Sequence, residues 1–370
     1  MRHLSTLVAH GLPRSEGGGG DAATSCRAHV GSFDGRPEKF LGREAPRRCA
    51  GEGSIAERRL LLVTIAVLGA ILVIAALVAN PNLLGSLETS PNEPRQATPA
   101  VELPTWSVGD RWTYNVTVTS TSDDLALSSR PAPDLTGTVT KEVRALADGE
   151  YNVSVTANLD GLMMASLYDE TVVQITEAGI EGYSRYRASD LATIMDVRTV
   201  RLRAEMPTLM GTLSAYLTVW TQTAYHPAWD AWAFPIDETE TWPVMTNATV
   251  DGRAVLRLEG LDGYLEAGKE FSFAMPLNYS IVSAGLQNIT VPAGTFRSMH
   301  TFAVLPQIDL ELEDDLAMVL ALDAGSLPIP NASVDVWFAE DVGNIVRATV
   351  TAGLSRSLKV DVVLLEFHDA

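Results

Sequence analysis

Cysteine is nearly missing from this chain of 370 residues: Cys26 and Cys49 are its two, and none follows residue 49. A disulfide framework is therefore excluded from the larger part of the chain, whose stability must come from a buried apolar core. Cys26 and Cys49, with His29 nearby, also lack the paired close spacing that zinc takes. No GxSxG, HExxH, GxGxxG, Walker, SxxK or EF-hand pattern occurs, so no recognised catalytic or nucleotide chemistry and no cofactor is expected. Positive charge is scarce too. Residues 80–370 hold 17 basic and 39 acidic side chains, net −22, and such a body repels phosphate backbones, which excludes nucleic acid as a partner. With 46% hydrophobic residues and a mean hydropathy of +0.10, the chain is too apolar for wholesale disorder and too mixed for a polytopic membrane protein.

Charge is absent altogether from residues 60–79, LLLVTIAVLGAILVIAALVA. Twenty such residues in a helix span the ~30 Å hydrocarbon core of a bilayer. Arg43, Arg47, Arg48, Arg58 and Arg59 precede the run, which places the N-terminus in the cytoplasm and the C-terminal body outside the cell. The run exceeds the usual apolar core of a cleaved signal peptide, so an uncleaved signal anchor is expected, with cleavage after Ala76 or Ala79 as the alternative. Residues 1–59 are rich in Gly and Arg, show no strand or helix period, and are expected to be a disordered cytoplasmic segment. A misassigned start is the alternative, although no Met occurs between Met1 and Met163. Residues 80–104 contain five prolines and read as a spacer that holds a domain off the membrane.

From Trp106 onward the apolar period is two. Trp112, Tyr114, Val116 and Val118 alternate with polar residues. Asp148-Gly149 marks a hairpin that puts Tyr151, Val153, Val155, Ala157 and Leu159 on one face. The same alternation runs through Val200, Leu202, Ala204 and Met206, through Val334, Val336 and Phe338, and through Leu358, Val360, Val362 and Leu364. About fourteen to sixteen such runs lie between 106 and 367. Residues 206–220 fit either a helix or a strand, and their Thr content favours strand. Residues 313–323 fit a short helix equally well. The fold expected is mainly β: one N-terminal transmembrane helix, then a large antiparallel, curved sheet at 105–370, half-barrel or sandwich-like. A weak echo between the stretches leading to Trp112 and to Trp242 leaves two similar halves open.

Six of the eleven Asn residues in 80–370 begin Asn-x-Ser/Thr sequons: Asn115, Asn152, Asn247, Asn278, Asn288 and Asn331. They are candidate glycosylation sites, and Asn115 and Asn152 fall on the polar faces of their strands. Asp309, Glu311 and Glu313 alternate and are weak candidates for calcium, which takes six to eight oxygens, but a solvated acidic face is the simpler reading and no metal is expected. His226, His300 and His368 are far apart in sequence. The densest aromatic stretch holds Trp220, Tyr225, His226, Trp229, Trp232 and Phe234. It reads either as a ligand contact for glycan or lipid or, preferably, as a plug for an open end of the sheet.

The run Trp106 to Tyr114, the middle Phe234-Pro235-Ile236 with Trp242, the turn Val291 to Phe296 and the closing Val336 to Ile345 together resemble TapB-like secreted proteins, a β-sheet family of bacterial and archaeal envelopes. The resemblance covers roughly 106–367, apart from 160–225. It implies a strongly curved antiparallel sheet and brings no catalytic residues. Val291-Pro292-Ala293-Gly294 suits a type I turn, and Gly343 supplies the backbone freedom of a reversal. The functional expectation is a single-pass, membrane-anchored, extracytoplasmic and noncatalytic protein for surface binding or envelope structure, meeting an envelope glycan, lipid or surface protein. One alternative is a carrier that holds a lipid or other hydrophobic ligand in a concave sheet. Another is a hydrolase built from scattered acids.

Overall fold

Among the described residues the period-two alternation becomes strands. A computed structural model describes residues 101–122, 135–166, 172–208, 211–260, 263–305, 308–311, 326–329, 331–353 and 356–370. The expected disordered segment 1–59, the anchor at 60–79 and the spacer up to residue 100 lie outside the described residues, as does the stretch 313–323. Among the described residues, no helix is long and apolar enough to cross a membrane.

The strands are β1 (Arg111–Ser122), β2 (Leu135–Ala147), β3 (Glu150–Ser166), β4 (Val172–Arg187), β5 (Thr193–Thr208), β6 (Gly211–Trp229) and β7 (Thr241–Gly260). They continue as β8 (Gly263–Val291), β9 (Gly294–Leu305), β10 (Ile308–Glu311), β11 (Ser326–Ile329), β12 (Ala332–Ala339), β13 (Asn344–Gly353) and β14 (Arg356–His368). Twelve of them pair antiparallel in the order β1-β14-β13-β12-β9-β8-β7-β6-β5-β4-β3-β2 and close into a barrel, while β10 and β11 form a separate two-stranded ladder. The sheet is thus a closed barrel and not the half-barrel or sandwich expected from the sequence. Closure is made by β1 against β14, from Arg111 opposite His368 to Ser122 opposite Arg356. Periodicity reports which face of a strand is buried, and it carries no information about which two strands of a meander meet last.

Inside and outside follow from the pleat. Trp112, Tyr114, Val116 and Val118 of β1 are buried, as are Tyr151, Val153, Val155, Ala157 and Leu159 of β3, all within one core cluster. The intervening Thr113, Asn115 and Thr117, or Asn152, Ser154, Thr156 and Asn158, face outward and are at least partly exposed. An apolar interior with a polar exterior is the reverse of a membrane-spanning barrel, whose outer band is apolar. The β2–β3 hairpin turns on Asp148 and Gly149, at φ 53° and 76°, the positive pair that its Asp-Gly sequence anticipates. Residues 206–208 and 211–220 are strand, as their Thr content suggests, in β5 and β6, whose pairing ends with Thr208 opposite Gly211. Trp112 and Trp242 both take the second position of a strand, β1 and β7, and both are buried.

β7 and β8 run on past β9. Pairing of β8 with β9 spans Ile281 to Val291, whereas pairing with β7 covers Gly263 to Val282. Between 263 and 280, β8 is therefore an edge among the described residues. It carries Glu266, Lys269, Glu270 and Pro276, the residues that discourage edge-to-edge association.

Candidate functional site

One end of the barrel is closed by its own chain. Residues 101–110, the turns at 148–149, 188–192, 292–293 and 340–343 and the connection 230–240 all lie there. Val101 is buried and bridges Ile236. The indole of Trp106 packs against Trp112, Tyr151 and Tyr186 with ring centres 5.3 to 5.4 Å apart. Its Nε1 donates to the Gly343 carbonyl at 2.8 Å, and the Nε1 of Trp112 donates to the Val342 carbonyl at 2.9 Å. The single 3-10 turn Glu340–Val342 ends on Gly343 at φ 63°, so the reversal expected there is the feature that presents both carbonyls. Asp110 ties the same end together, its carboxylate accepting from the backbone N–H of Ser107 at 2.7 Å and of Ala370 at 2.9 Å.

The aromatic stretch divides between the two readings given for it. Trp229 is 1% exposed and donates to the Tyr279 hydroxyl at 2.7 Å. Trp232 is buried and packs on Phe338 at 4.9 Å, with the half-buried Phe234 at 5.3 Å from the same ring. Tyr225 is buried within the barrel. Trp220 and His226 point to solvent on the outer wall of β6. Four of these six side chains thus pack at or near the closed end and two face outward.

Above the closing layer lies a polar cluster in the apolar interior. Asp196 and Arg198 of β5 are buried and form an ion pair at 3.0 Å. Ser184 of β4 donates to Asp196 at 2.6 Å and accepts from Arg198 at 2.6 Å, and Tyr225 donates to the other Asp196 oxygen at 3.0 Å. Arg198 also donates to the carbonyls of Tyr183 and Val197. Lys141 of β2 is buried nearby, and burial, followed by the charge of Arg198, lowers its pKa to about 8, with Asp196 partly offsetting. Burial, and after it the charge of Asp196, pushes Tyr186 up to about 12. Tyr114 is raised well above its ordinary value by burial and then by Tyr186. Among the described residues its hydroxyl has no partner. A cavity of about 20 Å³ adjoins the cluster, lined by Trp106, Lys141, Tyr186, Trp232, Phe338 and Asn344, among others.

This cluster was not singled out from the sequence, although a signal for it exists. Carrying the inward face of Val200, Leu202 and Ala204 back by two and four positions gives Arg198 and Asp196. Lys141 likewise stands between Val139 and Val143.

A second polar group sits on the outer wall. His300 stacks on Trp337 at 4.5 Å and 5° and hydrogen-bonds Asp335 at 2.9 Å. Gln287 bridges His300 and Trp337, and Arg347 lies 5.4 Å from the Trp337 ring centre. Trp337 thus has three partners within the chain, His300, Arg347 and Gln287. His368 is exposed at the end of β14.

Asn247, Asn278, Asn288 and Asn331 are exposed, and Asn115 and Asn152 are partly exposed on the outer face. Asp309 and Glu311 fall in β10, whose side chains, like all of Glu313, lie outside the described residues. Among the described residues no group of three or more His, Cys, Asp or Glu is placed to hold a metal ion.

No known protein family matches the chain, and no curated protein is significantly similar to it. Among solved structures, a Bacteroides fragilis protein inferred to be exported and described as having a YMCC-like fold aligns with 73% of this chain and 100% of its own, at 8% identity and a TM-score of 0.26. A likeness that low carries no argument. Membership of the TapB-like family is not shown, while the mainly β, antiparallel sheet that the resemblance implies is present in the barrel itself.

Proposed function

We propose that the barrel is a noncatalytic extracytoplasmic domain, held at the cell surface by a single-pass anchor at 60–79 and serving surface binding or envelope structure. The observation that supports this reading most is the outer wall. Its strand faces are Thr-, Asn- and charge-rich, and all six sequon asparagines lie on it or at its rim with at least part of their surface exposed. A wall of that composition favours water and is suited to carrying glycans. The TapB-like resemblance agrees with the reading, because most of its motifs meet at the closed end as fold residues. Protease added to intact cells is expected to remove residues 105–370, and a glycosidase that releases Asn-linked glycans is expected to increase the mobility of the mature chain in gels. Protection of the barrel from protease would overturn the topology. Turnover in a broad esterase and glycosidase screen would overturn the noncatalytic assignment.

A second reading, carriage of a lipid or other hydrophobic ligand, is favoured by one feature. Beyond the end of β9, the inner face of β8 presents Phe271, Phe273 and Met275 half-buried. Native mass spectrometry of the purified chain tests it through a bound mass that organic solvent removes.

A further inference from the structure

The interior cluster places more positive than negative charge next to a small cavity. Asp196 is engaged by Arg198, Ser184 and Tyr225. Lys141 of β2 adds a second cation nearby, and the charges that act on it are those of Arg198 and Asp196. Asp110, the other buried acid, spends its carboxylate on the backbone of Ser107 and Ala370 at the end of the barrel. An ammonium in an apolar interior is costly without a counter-charge.

The space beside it has the matching chemistry. The polar side chains that line the cavity are Lys141, Tyr186, Asn344 and Trp106, and no acidic side chain lines it. The Trp106 N–H is given to the Gly343 carbonyl. The Asn344 Oδ1 is taken up by the N–H of Ile345 at 2.9 Å, which leaves its NH₂ group to donate. An ammonium and an amide donor beside a small cavity without acidic lining describe an anion site. A volume of about 20 Å³ limits the occupant to a single particle near water in size, since one water needs about 10–15 Å³. Phosphate, sulfate and carboxylate ligands are too large. Val153, Leu191, Trp232, Phe338 and Ile345 complete the lining with apolar surface.

We propose that this cavity binds one halide ion, chloride under physiological conditions, held by the Lys141 ammonium and the Asn344 amide and serving as the counter-ion of the barrel interior. The site couples the closing layer to the wall, because Asn344 opens β13 directly after the 3-10 turn and Lys141 stands in the middle of β2.

The test uses the full chain purified in detergent at pH 7, with thermal midpoints measured in sodium chloride and in sodium gluconate at equal ionic strength. Gluconate is too large for the cavity. A saturable rise of about 4 °C in chloride over gluconate is expected, and bromide is expected to replace chloride in it. Equal midpoints in the two salts would overturn the proposal and leave the cavity as a water site. Lys141→Met, which keeps most of the length of the side chain and removes its charge, is expected to abolish the chloride response, and a retained response overturns the assignment. Should that variant fail to fold, Asn344→Asp is the second test, because a carboxylate at the rim is expected to weaken the response at least tenfold. Crystals soaked in bromide give a reading on the wild-type chain. An anomalous peak between Lys141 and Asn344 supports the site, and an empty cavity there overturns it.

Discussion

At the closed end of the barrel, Trp106, Trp112, Tyr151, Tyr186, Trp232 and Phe338 interlock over short connections. At the other, β7 and β8 stand past the end of β9 with Phe271 and Phe273 half-buried on their inner face. Both regions use aromatic rings, but the first buries them more fully, with the indole N–H groups of Trp106 and Trp112 donating to carbonyls of a turn about 230 residues away. Sealing an end takes long-range contacts between segments that the strand pattern does not link. A wall needs only its neighbours.

The largest effects are expected at the closed end. Trp229 is 1% exposed with its N–H on Tyr279, and Trp229→Ala is expected to cost ~3–5 kcal/mol of unfolding free energy, read from denaturant midpoints. A loss below ~0.5 kcal/mol would mean that this ring is not part of a sealed layer, and the comparison between the ends would fail.

How much of this was legible in the sequence differs between the two regions for the same reason. The strands, their inward faces, the Asp148-Gly149 turn and the reversal at Gly343 follow from local pattern, and the structure has all of them. That Trp106 and Trp112 reach Gly343 and Val342, or that β1 meets β14, depends on contacts across most of the chain, which no window of residues contains. The interior charges lie between these cases. The period that places Leu202 inside also places Arg198 and Asp196 inside, but buried charges are rare enough that alternation alone reads them as an interruption of the strand.

The next effect in size is a pH dependence. The folded pKa of Lys141, about 8, lies below the 10.5 of the free side chain, so between those values the unfolded chain binds the extra proton and stability rises with pH. A gap of that size corresponds to about 3 kcal/mol. Tyr186 acts in the opposite sense, because its folded value near 12 exceeds the ordinary 10, and the stability it contributes below pH 10 is lost from pH 10 to 12. Unfolding free energy of the wild-type chain is therefore expected to climb from pH 8 to about 10 and then fall, and Lys141→Met is expected to lose the climb and keep the fall. A flat wild-type profile between pH 8 and 10 would show that the Lys141 ammonium is solvated and the interior less dry than the closed end implies.

A smaller loss is expected on the standing wall. The Phe271 ring lies over Gly252, where an added Cβ would come within 2.3 Å of it, yet the side chain keeps partial exposure. Phe271→Ala is expected to cost ~1–2 kcal/mol, below the ~3–5 of a fully buried ring. A full-sized loss would sharpen the comparison, since it would mean that something covers this face in solution, and the same variant would then weaken any bound hydrophobic mass seen in native mass spectrometry.

The smallest effect belongs to the outer face of the same wall. Arg201 of β5 and Glu181 of β4 pair at 2.5 Å with both side chains more than half exposed, and the hydrogen bond raises the pKa of Arg201 and lowers that of Glu181. Exposed pairs like this gain little, because water already solvates both charges and two long side chains must be held in one geometry. A double-mutant cycle with Arg201→Ala and Glu181→Ala is expected to give a coupling of ~0.5 kcal/mol or less, falling further in high salt. The buried pair of Asp196 and Arg198, 3.0 Å apart with side chains 7% and 3% exposed, is the internal control. Removing Arg198 alone leaves a desolvated carboxylate and is expected to cost ~3–5 kcal/mol. Similar couplings for the two pairs would mean that inner and outer faces share one dielectric environment, and the division into a dry interior and a wet wall would have to be abandoned.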